Sequence, residues 1–288
     1  MLLARRAAVA LITPLFCSPP AQPARAAPAF DDLRSRLDAP IVKEPSAAPG
    51  GGEPALPAWL EGTWRCEQTL TRFTTPLGVA FIGAPGRPIS EAEASAAQTR
   101  AQLNVPVSLP LRWIKGRDGS IVEDRPFNVK SRLDAFAGRS VVRDAEACAA
   151  TSSFDVLAGR PLACTLVDFK GPVSQKVLVN SARSAMSSDG GVPSDAVVLS
   201  EFVRSIFARK LAPGDTRNFP PITTDTETVL ELAPSTSAPS SVLVGRLRLI
   251  SYLQPLDPLY FEAAQRSVSV SDYSLRLERM PDAAPVAE

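Results

Sequence analysis

Val105-Pro106-Val107-Ser108-Leu109-Pro110-Leu111-Arg112-Trp113 is the stretch on which the fold turns. Val105, Val107, Leu109, Leu111 and Trp113 share one parity; Pro106, Ser108, Pro110 and Arg112 share the other. A period of two is that of an extended strand whose side chains alternate between an apolar face and a polar one. The pattern recurs at 127–135, where Phe127, Val129, Leu133 and Ala135 oppose Asn128, Lys130, Arg132 and Asp134. Further strands are expected at 62–73, 141–147, 164–170, 175–183, 226–233 and 241–253, with a C-terminal run at 267–279. That makes at least nine strands and no strand–helix alternation. The expected fold is mainly β, a single antiparallel meander closing into a barrel, because closure removes exposed edges.

Two helical stretches interrupt the pattern. Ser90 and Glu93 read as a capping box at the head of an Ala-rich segment, 91–103, so a short helix is expected in the long first connection. Asp257-Pro258 reads as a helix start for a short turn over 260–264, before the last strand. Residues 198–209 read two ways. Leu199, Phe202, Val203, Ile206 and Phe207 make a helical stripe, while their β-branched and aromatic content favours a strand. In the last strand Val268 and Val270 are even, whereas Tyr273, Leu275 and Leu277 are odd. A β-bulge near Ser271-Asp272 would reconcile the two phases, and chance patterning in a looser strand is the alternative.

The N-terminus has a different character. Arg5-Arg6 precedes an apolar run, 7–16, and a Pro-rich stretch then ends at Ala24-Arg25-Ala26. A basic head, a short apolar run and a small-x-small site form an export signal, so residues 1–26 are expected to be cleaved. The apolar run is about half the ~20 residues that a membrane span needs, so no span is expected after cleavage. The arginine pair fits twin-arginine export, or an ordinary signal that happens to hold two arginines. The bulky Phe16 before Cys17 argues against lipidation. Residues 27–57, broken by Pro40, Pro45, Pro49, Gly50-Gly51-Gly52 and Pro54, read as a linker. The barrel domain is expected over 58–280, with a frayed tail over 281–288.

Composition narrows the chemistry. The 288 residues are 45% hydrophobic, enough for one sizeable core. Residues 1–26 hold three arginines and no acid, so the net charge moves from +1 to −2 on cleavage. No clustered basic stripe marks a nucleic-acid surface. Histidine is absent, which removes Ser-His-Asp and Cys-His nucleophiles and His-based metal sites, leaving carboxylates, Lys, Tyr or Cys for any catalysis. Neither a metal set nor a particular cofactor is indicated. Of Cys66, Cys148 and Cys164, the last two would close a short loop in an exported protein; three unpaired thiols are the other reading.

Leu60-Glu61-Gly62-Thr63-Trp64 opens the first strand, and Gly62-x-Trp64 there resembles the start of lipocalin-like barrels. That resemblance implies that Gly62 admits a tight turn and that Trp64 closes the barrel floor under an arginine, Arg276 or Arg279. Ser271-Asp272-Tyr273 resembles a lipocalin Thr-Asp-Tyr motif placed much later in the chain, which points to the wider calycin kind. A broader resemblance rests on 57–64, Pro76-Leu77-Gly78, 200–207 and 270–277. Together these resemble an uncharacterised family of thylakoid-lumen proteins from algae, plants and cyanobacteria. The resemblance implies a lumenal location, with the periplasm or another exported compartment as the alternative. A chloroplast member would carry a transit peptide ahead of residue 1, so either a short N-terminus or a prokaryotic host is expected.

Three functions follow from this reading. The first is a binding or auxiliary barrel that holds a small apolar ligand or docks on a photosynthetic membrane complex. Trp64, Leu109, Leu111, Trp113, Phe127, Val129 and Leu133 would line its cup under a lid at 91–103, although the same residues could simply fill a packed core. The second is an isomerase or cyclase acting on a lipid or pigment, using Asp168, Asp272 or Tyr273 with Arg204 as anion partner. The third is a scaffold without a ligand.

Overall fold

The computed structural model describes residues 30–45, 53–54, 56–82, 88–148, 162–187, 195–211, 219–238 and 241–281. Residues 1–26, the expected export signal, and the tail beyond 281 lie outside them. Ten strands follow one another: β1 (Gly62–Thr74), β2 (Pro106–Lys115), β3 (Ile121–Glu123), β4 (Val142–Ala147), β5 (Ala163–Phe169), β6 (Val173–Met186), β7 (Val197–Arg209), β8 (Ile222–Pro234), β9 (Val242–Tyr252) and β10 (Ser269–Arg279). Among the described residues four α-helices accompany them: α1 (Phe30–Asp38), α2 (Ile89–Arg100), α3 (Arg125–Phe136) and α4 (Tyr260–Ala263). The strands form one antiparallel sheet in the order β3-β2-β1-β10-β9-β8-β7-β6-β5-β4. It is strongly curled, a half-barrel. The meander is as expected, but closure through strand pairing is not: the sheet ends at β3 and β4.

Helix α3 stands at those ends, and it corrects the strand expected at 127–135. Asp124 caps the helix by accepting from the Phe127 N–H at 3.3 Å, and Pro126 sits in the first turn, where its missing N–H costs nothing. Once the helix starts, the polar residues of the apparent alternation find uses that a strand would not give them. Asn128, fully buried, accepts from the Arg112 N–H at 2.7 Å and donates to the Arg112 carbonyl at 3.1 Å, so one amide side chain pairs with the free edge of β2 as a strand would. Ser131 adds a 2.6 Å bond to the Pro110 carbonyl. On the other side Asp134 accepts from the N–H groups of Val141 and Val142 at 2.6 and 2.8 Å, and Lys130 donates to the Val142 carbonyl at 2.8 Å. A short helix thus occupies backbone groups on both edges that would otherwise template aggregation.

Two cores lie on opposite faces of the sheet. The inner one joins Trp64, Cys66, Leu109, Leu111 and Trp113 to Val197, Leu232, Leu243, Leu247, Leu275 and Leu277. The outer one is made by α1, whose Leu33 and Leu37 bury against Val198, Phe202, Val229, Ile250 and Tyr252. Residues 27–57 are therefore not wholly a linker. Burying the two leucines contributes about 1.5–3 kcal/mol each.

This two-sided burial explains the conflicting patterns. Residues 198–209 belong to strand β7, with Val197 facing the inner core and Val198 and Phe202 the outer one. Val270 meets the outer core and Leu275 and Leu277 the inner, so β10 pairs with β9 without a break from Ser269 to Glu278. The irregularity lies across the ladder, on β1 between Leu70 and Arg72. In the first connection α2 begins at Ile89 with Pro88 as N-cap and no side-chain cap, so Ser90 and Glu93 lie inside the helix and no capping box forms.

Candidate functional site

The floor of the half-barrel is built on Gly62 and Trp64. Gly62 has φ +120°, a region L side chains avoid, and an added Cβ would stand 2.6 Å from Arg279 Nη1. Arg279 uses that close approach: its guanidinium lies 4.4 Å from the Trp64 ring and donates to the carbonyls of Glu61 and Trp59 at 2.7 and 2.9 Å. Trp64 is wholly buried and donates its indole N–H to the Leu60 carbonyl at 2.9 Å. Arg279, not Arg276, is the arginine over the tryptophan. Arg276 is exposed and pairs with Glu278 at 3.2 Å.

Above the floor the expected cup is packed. Leu109, Leu111 and Trp113 are at most 2% exposed and join Trp64 in the inner core. Phe127, Val129 and Leu133 are half-buried on α3 and do not continue the strand stripe. Phe127 lies beneath the Arg112 guanidinium at 4.2 Å, and Arg112 also pairs with Asp124.

The interior holds a charged cluster that the sequence reading missed. Arg125, at the start of α3, donates to Glu201 of β7 at 2.7 and 3.1 Å and also meets Glu53 and Glu123 at 3.0 and 3.3 Å. Burial pushes the Glu201 carboxyl up, and Arg125 pulls it back. Burial opposes the charge on Arg125, yet Glu201, Glu123 and Glu53 together hold it firmly protonated. The space beside the cluster is about 10 Å³, no more than one water occupies, so the cluster ties α3 to β7 and admits no substrate. Its one sequence signal was Glu201, a carboxylate inside an apolar strand.

The proposed catalytic groups are scattered. Arg204 is held by Asp225 at 2.7 and 2.8 Å, and Asp272 by Arg248 and Arg72 at 2.6 Å each. Arg204 and Asp272 lie on the face that carries α1. There Glu227, fully buried, accepts from Arg36, from Ser200 at 2.8 Å and from Tyr252 at 2.9 Å. Burial and the Glu227 charge together raise the Tyr252 phenol. Tyr273 alone of the catalytic candidates faces inward. Asp168 pairs with Lys210 and, at 3.1 Å, with Arg143, and these contacts hold its carboxyl below the usual range.

Asp168 borders a concavity of about 520 Å³ on the outer face of β4–β7. Leu166, Ile206, Ala208 and Pro221 give it an aliphatic wall, and Asp144, Glu146 and Asp168 an acidic rim. Cys148 and Cys164 are joined by a disulfide, fastening the end of β4 to β5 beside it; Cys66 is free and buried, its thiol pushed up to about 11 by burial.

Residues 50–281 match the model of a family described as a domain of unknown function, DUF6816. The chain is a DUF6816 protein. No curated protein and no solved structure matches it. The DUF6816 region takes in the whole sheet, the floor and both sides of the outer concavity, whereas α1 lies ahead of it. No helix among the described residues is long and apolar enough to cross a membrane.

Proposed function

We propose that this DUF6816 protein is a non-catalytic binder of a small apolar or amphipathic molecule, exported to the thylakoid lumen and working beside photosynthetic membrane complexes. The observation that carries the binding is the outer concavity. Its volume falls within the range of ligand sites, and Leu166, Ile206, Ala208 and Pro221 give it aliphatic surface beside Lys176 and the carboxylates of Asp144, Glu146 and Asp168. The location rests on the basic, apolar and small-x-small order of residues 1–26 and on the resemblance of 57–64, 200–207 and 270–277 to a lumenal family. A calycin-like ancestry belongs to the same reading and is supported by Gly62-x-Trp64 beneath Arg279. An isomerase or cyclase draws less support, because Asp272 and Arg204 are engaged in ion pairs that fix strands.

One observation favours a docking role alongside. Leu256 and Phe261, around α4, are 93% and 86% exposed, the profile of an apolar contact surface. Protein purified from its own organism and extracted with organic solvent should release a lipid or pigment in near-stoichiometric amount, and Ile206→Asp protein should release far less. Extracts without any such molecule, with Leu256→Ser protein failing to co-purify with membrane complexes, would favour docking over binding.

A further inference from the structure

Strand β4 reads Val142-Arg143-Asp144-Ala145-Glu146-Ala147, and Val142 is its one buried residue. As the last strand of the sheet it bonds on one side only, to β5. Its start is held by α3: Asp134 accepts from the Val141 and Val142 N–H groups, and Lys130 donates to the Val142 carbonyl. The ladder to β5 then shifts register between Val142 and Asp144. Beyond that shift no side chain of β4 is buried, so residues 144–147 are held by backbone bonds to β5; the exposed Arg143–Asp168 pair at 3.1 Å adds little. Segments with few buried apolar contacts and exposed backbone bonds are the ones that open locally.

The far end of this stretch is fastened covalently. Cys148 continues the register of the Ala147–Thr165 pair and stands opposite Cys164: their Cα atoms are 5.3 Å apart, the Cys148 N–H bonds the Cys164 carbonyl at 3.0 Å, and the disulfide joins their side chains. Strand β5 is the fixed partner, since it pairs on both sides and buries Thr165 and Val167. Both bonded cysteines are part-exposed, within reach of an external thiol. Cys66 is wholly enclosed in the inner core, which keeps it out of exchange with them. Between the two anchors of β4 stand Asp144 and Glu146, which line the outer concavity with Asp168 and Leu166 opposite them.

We propose that Cys148–Cys164 is a reversible redox pin: closed, it holds the free edge of the sheet in place, and opened, it lets residues 144–147 leave β5 and take the Asp144 and Glu146 side of the outer concavity with them. The reductant is a protein dithiol. One of its thiolates attacks a sulfur of the bond and forms a mixed disulfide; its second thiolate attacks the donor's own bridged sulfur and releases the cysteine. Two electrons and two protons thus pass to Cys148 and Cys164, and the donor leaves as a disulfide. The loss of ligand rests on the reading of the concavity as a binding site; the release of β4 does not.

Hydrogen exchange of the full chain, oxidised and after treatment with dithiothreitol, tests the pin. Bonded positions alternate along an antiparallel pair, so Cys148 and Glu146 carry β4 amides bonded to β5. Both should exchange about tenfold faster in the reduced protein, while the amides of β8 and β9 keep their rates. Reoxidation should restore the slow exchange, and the double variant Cys148→Ser, Cys164→Ser should show the fast one without reductant. Nile red should bind the reduced protein about fivefold more weakly than the oxidised one. Equal exchange at Glu146 in both states, a bond that excess dithiothreitol leaves intact in the folded protein, or faster exchange over the whole sheet would overturn the proposal. Faster exchange at Glu146 with unchanged Nile red affinity would overturn its link to the concavity. Faster exchange with no Nile red binding in either state would support the pin and overturn the concavity as the ligand site.

Discussion

Trp64 is fixed from three directions: its ring lies under Arg279, its N–H is bonded to Leu60, and its body is wholly enclosed by the inner core. Replacing it by alanine should cost about 3–5 kcal/mol, measured by denaturant unfolding, since a large buried ring leaves a cavity that the sheet cannot collapse to fill. A loss under about 1 kcal/mol would mean that the floor is not a packed layer. The role of Gly62-x-Trp64 was legible in the sequence because it depends on one backbone conformation and one side chain. The partner arginine was legible only through parity. Leu275 and Leu277 face inward, so Arg279 does as well and Arg276 does not. The same parity sends Asp272 to the outer face and Tyr273 to the inner one. Their adjacency in sequence therefore could not mark a shared site.

At the scale of elements, α3 decides whether the curled sheet has finished edges. Asn128→Ala would leave the Arg112 N–H without its partner, while the Arg112 carbonyl keeps the Asp124 N–H at 3.0 Å; the expected cost is about 1–3 kcal/mol, with faster hydrogen exchange at the Arg112 amide. Unchanged exchange at that amide would show that β2 does not depend on the helix. Asp134 gives the other edge a pH dependence. Burial alone would raise its carboxyl, but the N–H groups of Val142 and Val141, with Lys130, outweigh this and leave it lowered. A lowered group contributes its full stability above the unfolded value of about 4 and loses it as the pH falls through the folded one. Wild type should therefore exceed Asp134→Asn in melting temperature at neutral pH, and the gap should close as the pH falls below about 4. A gap that persists in acid would remove the charge from the explanation.

Residues 127–135 misled the sequence reading for a physical reason. Polar groups that pair with backbone edges alternate by chance with half-buried apolar ones, and periodicity cannot tell an edge-capping asparagine from a solvated one. Helix α1 was hidden differently, because the prolines and glycines on its C-terminal side outweighed a nine-residue amphipathic segment.

For the whole molecule, the all-β meander was readable because strand periodicity and turn residues agree over most of the chain. The half-barrel form was not. Closure depends on whether the last edges meet, and that was decided by one helix. The proposed binding region was not readable either: the stripe that promised a cup became a packed core, and the open volume arose on the opposite face, where Leu166 of β5 and Ile206 of β7, on either side of β6, line a hollow. The central claim is that this hollow takes an apolar molecule. Nile red fluorescence titration of the purified protein tests it most directly, with Ile206→Asp and Leu166→Asp as variants. Saturable one-site binding, lost in both variants at unchanged melting temperature, is the predicted result; absent binding, or equal binding in wild type and both variants, would contradict the account.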